Sequence, residues 1–230
     1  MRRIVFDIET CAYPFETLSE SQQEYLLRYA EKETDPAKKQ EQTDQAIRYT
    51  SLYPLTAKCV AIGIYDIGKK KSFVYYESDE PEEWSSEDEQ VHYKGLTEPK
   101  MLKSFWKIVK VTDQVVTFNG RNFDIPFLMI RSAILKVKPS KNLIKSRYDR
   151  KSHIDLLEQF TYYGLTRKFN LDFYCNAFGI KSPKTDEASG MEVKNLYEAG
   201  RLRDIATYCS RDIYATYQLY KIWDEYLAQS

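Results

Sequence analysis

Met1-Arg2-Arg3-Ile4-Val5-Phe6-Asp7-Ile8-Glu9-Thr10 opens the chain. Ile4, Val5 and Phe6 predict a buried strand, which Asp7 and Glu9 interrupt. Side chains two apart on a strand share a face. Both carboxylates therefore aim at one spot, while Ile8 turns into the opposite layer. Burial and mutual repulsion each disfavour ionisation of such a pair. A hard cation held by oxygen ligands relieves both. The ordinary alternative is a strand end where the acids reach solvent, and this stretch alone does not exclude it. A metal site needs further ligands from elsewhere in the chain.

Composition narrows the function classes. The 230 residues fit one large domain or one domain with decorations. Basic and acidic residues balance at 34 each, so any nucleic-acid binding must come from local patches. Cys11, Cys59, Cys175 and Cys209 form no CxxC pair, which suits a reducing compartment and argues against a structural zinc site. His92 and His153 are the only histidines, so histidine-based metal sites and catalytic triads are poorly supplied. Arg2-Arg3 could mimic the start of a secretory signal, but Asp7 and Glu9 break the apolar run too early. No apolar run approaches the ~20 residues that span a bilayer. A cytoplasmic protein with no membrane partner is expected.

Along the chain, residues 19–50 are polar and helix-prone, with Tyr25, Leu26, Leu27 and Tyr29 as a sparse apolar stripe and Pro36 as a break. They predict a helical insertion. Residues 58–65 and 72–76 predict two strands joined by a turn containing Gly68, and with the first strand they make a three-strand antiparallel meander. Residues 77–90 carry eight acids and no base, which reads as a solvated acidic loop. Residues 99–111 place Met101, Leu102, Phe105, Trp106 and Val109 at helical spacing. Residues 114–118 predict a fourth strand, 124–135 a helix with Pro126 in its first turn, and 152–156 a fifth strand. Helices are predicted at 169–178 before Gly179, at 191–199 before Gly200, and over 202–227. A mixed sheet with helices on its faces accounts for this order.

Further acids come from two places. Asp124 stands where the fourth strand runs through Gly120 into a helix, a position that also suits a plain N-cap. Tyr208 and Asp212 are four apart in the last helix, hence neighbours on one face. Asp204, one turn earlier, fits a helix-start acid favoured by the dipole. Each acid alone has an ordinary structural reading. Together, four carboxylates can hold two divalent ions about 3.5–4 Å apart, which clamp the attacking and leaving oxygens of a phosphoryl transfer.

The same residues carry a family resemblance. Phe6-Asp7-Ile8-Glu9-Thr10 resembles the first exonuclease motif of the DEDD superfamily, which includes the proofreading domains of DNA polymerases. Asn119-Gly120-Arg121-Asn122-Phe123-Asp124 resembles the second motif in its family B polymerase form. Tyr208-Cys209-Ser210-Arg211-Asp212 resembles the third, in its tyrosine form; the histidine form would place a histidine where this chain has Thr207. The three occur in order and cover the chain almost end to end. The resemblance is to stand-alone predicted 3′–5′ exonucleases related to the family B polymerase exonuclease domain. It implies a single α/β domain over residues 1–230 with a ribonuclease-H-like fold, a five-stranded mixed sheet whose first three strands are antiparallel and whose first strand is central. It implies Asp7, Glu9, Asp124 and Asp212 as ligands of two Mg²⁺ or Mn²⁺ ions, with Asp7 bridging them. It implies Tyr208 as the residue orienting the attacking water, and Thr10, Asn119 and Phe123 beside the terminal nucleotides. Asp155 would be a helper acid, with a strand-end or helix-start role as its alternative.

The expected reaction is hydrolysis from the 3′ end of single-stranded nucleic acid, DNA ahead of RNA. The alternatives are an RNA-trimming exoribonuclease, or an inactive module that keeps the fold for binding. The length leaves no room for a polymerase domain, so proofreading within this chain is not expected. Residues 136–151 hold seven bases, among them Lys145 and Arg147, and could track a phosphate backbone or form a solvated loop. A protein partner in replication or repair is not identifiable from the sequence.

Overall fold

The computed structural model describes residues 1–182 and 193–228. Strand β1, Arg3–Ala12, alternates as expected. Ile4, Phe6 and Ile8 enter one hydrophobic layer, and Val5 enters the other. β2 (Ala57–Asp66) and β3 (Lys71–Glu77) complete an antiparallel meander with β1. Short β4 (Glu83–Ser85) and β5 (Val91–Leu96) extend the sheet beyond β3. On the other side β6 (Gln114–Thr117) and β7 (His153–Asp155) run parallel to β1. The spatial order is β4-β5-β3-β2-β1-β6-β7, so β1 is interior and bonded on both edges.

The sheet therefore has seven strands where five were expected. The two extra strands lie in and just after the acidic stretch. Their anchors are non-local: Trp84 stacks on Tyr93 at 3.7 Å and donates to the Tyr76 hydroxyl at 3.0 Å. The stretch is also tied to the opposite layer, because Glu82 pairs with Arg203. No local hydrophobic pattern announces pairings of this kind.

One face is covered by α3 (Glu98–Lys110) and α4 (Asp124–Ile134), whose Met101, Phe105 and Leu128 pack on Ile4, Phe6 and Ile62. The other carries α8, Leu202–Tyr226, the longest helix among the described residues. Short α5 (Leu156–Phe160) and α6 (Leu171–Ala177) flank it, as does α7 (Val193–Glu198). The expected start of the helix over 191–199 lies outside the described residues. Gly179 and Gly200 close α6 and α7 with positive φ, as expected of helix stops.

Residues 19–50 are helical as expected, in two pieces. In α1 (Glu20–Leu27), Ser19 and Gln22 form a capping box. In α2 (Pro36–Tyr49), Asp35 caps the start and Pro36 occupies the first helical position. The proline thus begins a helix as well as breaking one, because its missing N–H costs nothing there. All four cysteines are buried free thiols. Among the described residues no helix is long and apolar enough to cross a membrane.

Candidate active site

Three elements converge on the buried carboxylates of β1. Across the β1–β2 ladder, Asp7 faces Gly63 and Glu9 faces Ala61. These small partners leave space, and α8 fills it. A Cβ on Gly63 would lie 2.8 Å from Cys209 Sγ and 2.9 Å from Ile213 Cγ2. The helix thus rests on the bare backbone of β2, which brings Tyr208 and Asp212 to the two acids.

A β-bulge follows at once. Glu9 pairs with Ala61 but Thr10 with Cys59, which leaves Val60 as the extra residue. The Cys59 amide is taken up by Glu98 Oε1 at 2.9 Å. Glu98 is itself held by the buried guanidinium of Arg131, with Arg131 Nε donating to Oε1 at 2.9 Å. An ion pair between α3 and α4 therefore fixes the kink beside Glu9.

Asp124 enters from the end of β6. The cap position of α4 belongs to Phe123, which makes no side-chain cap bond, so Asp124 is the first helical residue and not an N-cap. Its Oδ1 accepts the Ile8 amide at 3.1 Å, which ties α4 directly to β1. The carboxyl is 2% exposed. Burial pushes its pKa up to about 7, against the pull of the amides and of a hydrogen bond from Asp7. Asp7 is raised well above the carboxylate range by burial and then by Asp124, Glu9 and Asp212. Glu9 is raised by burial, then by Asp212 and Asp124. The four acids are close enough to oppose one another's ionisation, which is the condition that a bound cation removes.

Burial, then the negative charges of Asp212 and Glu9, hold the Tyr208 phenol protonated far above neutrality. The donor set fits divalent hard cations: four carboxylates, all oxygen. Glu9 Oε1 is buried with no hydrogen-bond partner among the described residues. A carboxylate oxygen left so is costly without a ligand.

The other expected site residues are distributed differently. Thr10 donates its hydroxyl to the Ser51 carbonyl at 2.7 Å. Asn119 takes positive φ at the exit of β6, and Gly120 crowds the Thr117 side chain too closely for any Cβ. Phe123 packs against Phe127 beside the α3/α4 layer. Asp155, 1% exposed, caps α5 and accepts the backbone amides of Asn119 at 3.0 Å and Arg121 at 2.9 Å. It therefore pins the loop that delivers Asp124. Arg147 forms an ion pair with buried Glu158, which Arg121 also joins. Lys145 is exposed and accepts from Arg121 through its carbonyl.

Cys209 was not anticipated. Its Sγ and the nearest carboxylate oxygens of Asp7 and Glu9 lie within 4.8 Å of one another. Burial, Glu9 and Asp7 hold the thiol protonated, so it packs as a small apolar group. Its position three residues before Asp212 was the available signal.

Residues 57–226 match the family described as predicted 3′–5′ exonuclease related to the exonuclease domain of PolB. The chain is 33% identical over 147 residues to a DNA polymerase of Desulfurococcus sp. (strain Tok), an alignment covering 54% of this chain and 18% of that protein. The figures for a DNA polymerase of Thermococcus gorgonarius are the same: 33%, 147 residues, 54% and 18%. The chain thus spans under a fifth of the length of these curated relatives. The family B DNA polymerase of the hyperthermophilic archaeon Pyrobaculum calidifontis superposes with a TM-score of 0.61 at 16% identity, over 96% of this chain and 24% of that one.

Proposed function

The chain belongs to the family of predicted 3′–5′ exonucleases related to the exonuclease domain of PolB, and from that premise we propose that it removes nucleotides one at a time from the 3′ end of single-stranded DNA. The observation that carries the reading is the convergence of Asp7, Glu9, Asp124 and Asp212, with Tyr208 one helical turn before Asp212. Two divalent ions, Mg²⁺ or Mn²⁺, would be held by these four carboxylates. When bound they would supply an activated water and charge neutralisation at the phosphate.

The protein's own residues do the positioning. Asp124 is fixed by the Ile8 amide, so the α4 contribution does not swing away from β1. Glu9 is fixed by the bulge and the Glu98–Arg131 pair behind it. Tyr208 stays a phenol and acts as a donor, orienting a water rather than deprotonating it. DNA is favoured over RNA because the curated relatives that the chain matches are DNA polymerases.

The test is release of mononucleotides from matched DNA and RNA single strands and from blunt duplex, in Mg²⁺, in Mn²⁺ and in EDTA. Metal-dependent release from the DNA strand is expected. Faster release from RNA would reassign the substrate, and no release in either metal would remove the enzymatic reading.

A further inference from the structure

The connection between β1 and β2 carries an open groove of about 900 Å³ between α1, α2 and residues 53–56. Tyr25, Tyr29, Tyr49 and Tyr53 line it, with Leu26 and Leu55. Tyr25 is 64% and Tyr29 66% exposed, and neither α1 nor α2 buries a single residue. The segment therefore has no core of its own that explains its aromatic residues. Arg28 lies 3.8 Å from the Tyr25 ring centroid and 4.5 Å from that of Tyr29. Among the described residues it is the one charged residue in the lining, and no acid lines the groove.

The groove's segment is anchored to β1, the strand that carries Asp7 and Glu9. Its Thr56 carbonyl accepts the Tyr13 amide at 3.0 Å, and Thr10 bonds Ser51 at 2.7 Å. Arg131 roots the segment on α4 through the Pro54 carbonyl at 3.3 Å and the Tyr13 hydroxyl at 2.9 Å. Ala12 pairs with Ala57 at the groove's base, three residues beyond Glu9. At ~3.3 Å per strand residue that is about 10 Å, or about three stacked nucleotides at ~3.4 Å each.

We propose that this groove is a single-stranded DNA subsite, in which bases from about the fourth nucleotide inward stack on Tyr25, Tyr29 and Tyr53, with Arg28 beside the backbone. The proposal rests on the exonuclease reading for the strand's end at Glu9. Among the described residues the lining is rich in tyrosine and free of acids, which suits unpaired bases of any sequence. The segment also precedes the family-matched residues, which start at 57.

The geometry makes the effect depend on length. A trinucleotide ends before the groove, whereas a dodecamer crosses it. Tyr25→Ala, Tyr29→Ala and Tyr53→Ala should each raise KM for the dodecamer by roughly tenfold, the effect of one lost stacking contact. KM and kcat for the trinucleotide should stay unchanged. Tyr226→Ala, at an equally exposed tyrosine at the end of α8, should alter neither. Equal KM for the dodecamer in all variants overturns the groove while leaving the reaction intact. Failure of the wild-type chain to cleave either substrate overturns the exonuclease reading instead. Photocrosslinking of a 5-iododeoxyuridine dodecamer in EDTA reads the groove without cleavage. Crosslinked peptides containing Tyr25, Tyr29 or Tyr53 are expected, and their absence overturns the proposal. So does tighter binding of the RNA strand, or a dimer that the same tyrosine variants abolish.

Discussion

Gly63 lies directly across the β1–β2 ladder from Asp7, and its missing side chain is the space that Cys209 and Ile213 of α8 occupy. A backbone position on one strand thus sets how closely the last helix approaches an acid on its neighbour. Gly63→Ala should push α8 outward, because the added methyl would meet Sγ at 2.8 Å and Cγ2 at 2.9 Å. Overpacking of this kind costs about 1–3 kcal/mol. Denaturant unfolding should show that loss, and cleavage should fall with it as Asp212 retreats from Asp7. A variant with wild-type stability and rate would mean the helix does not depend on that contact.

We propose that Asp155 acts through the loop and not as a ligand. Its carboxylate accepts the amides of Asn119, Arg121, Leu157 and Glu158. Asp155→Ala should lose at least about 2 kcal/mol of stability from the missing cap and the unpaired amides. It should lower kcat by misplacing Asp124. Asp155→Asn keeps one acceptor oxygen and should recover part of both. Neither should change the number of Mn²⁺ ions bound, and a lost ion would make Asp155 a ligand.

Tyr208→Phe removes the hydroxyl that burial and the charge of Asp212 hold protonated. The rate should drop roughly 10- to 1,000-fold, the range for one positioned donor. Mn²⁺ stoichiometry measured by calorimetry should be unchanged. Loss of an ion in this variant would place the phenol in support of the ligand set and not of the water.

The metal-free protein should have an inverted pH response. A carboxyl whose folded pKa lies above its unfolded one binds more protons when folded, so stability is lost as pH rises through the folded value. Asp124 sits at about 7, and Asp7 and Glu9 are raised well above the model-peptide range. Melting temperature in EDTA should therefore fall from about pH 6.5 to about 7.5, as Asp124 completes its ionisation. Below that window His153, which burial holds down to about 3, destabilises the fold as pH falls, because only the unfolded chain takes up its proton. Mn²⁺ should raise the melting temperature most at the alkaline end, where the ligands ionise most readily. A metal-free melting temperature that is flat or rising across the window would contradict the burial of the acid cluster.

Much of this was legible in the residues. The alternation of Ile4 to Glu9 fixed which layer each side chain enters, and the meander, the strand-to-helix exit at Gly120 and the Tyr208–Asp212 face followed from local spacing. What was not legible is non-local. β5 owes its place to Trp84, Tyr93 and an alignment with β3, none of which sets a periodic pattern. The Glu98–Arg131 pair and the Cys59 amide it serves are far apart in the chain. The groove tyrosines come from two helices and the segment after them, so they read as scattered aromatics. The Leu157 and Glu158 amides that Asp155 caps are local and fit its helix-start alternative, but those of Asn119 and Arg121 reach it only when β6 and β7 lie side by side.

The central claim is that the four carboxylates cut from the 3′ end. The most direct measurement is a time course on one DNA single strand labelled separately at each end, with Mn²⁺, for the wild-type chain and for Asp7→Ala and Asp212→Ala. The 3′ label should appear at once as mononucleotide while the 5′-labelled strand shortens in single steps, and both variants should be inactive though folded. Early release of the 5′ label, internal cuts, or substantial cleavage by either variant would contradict the account.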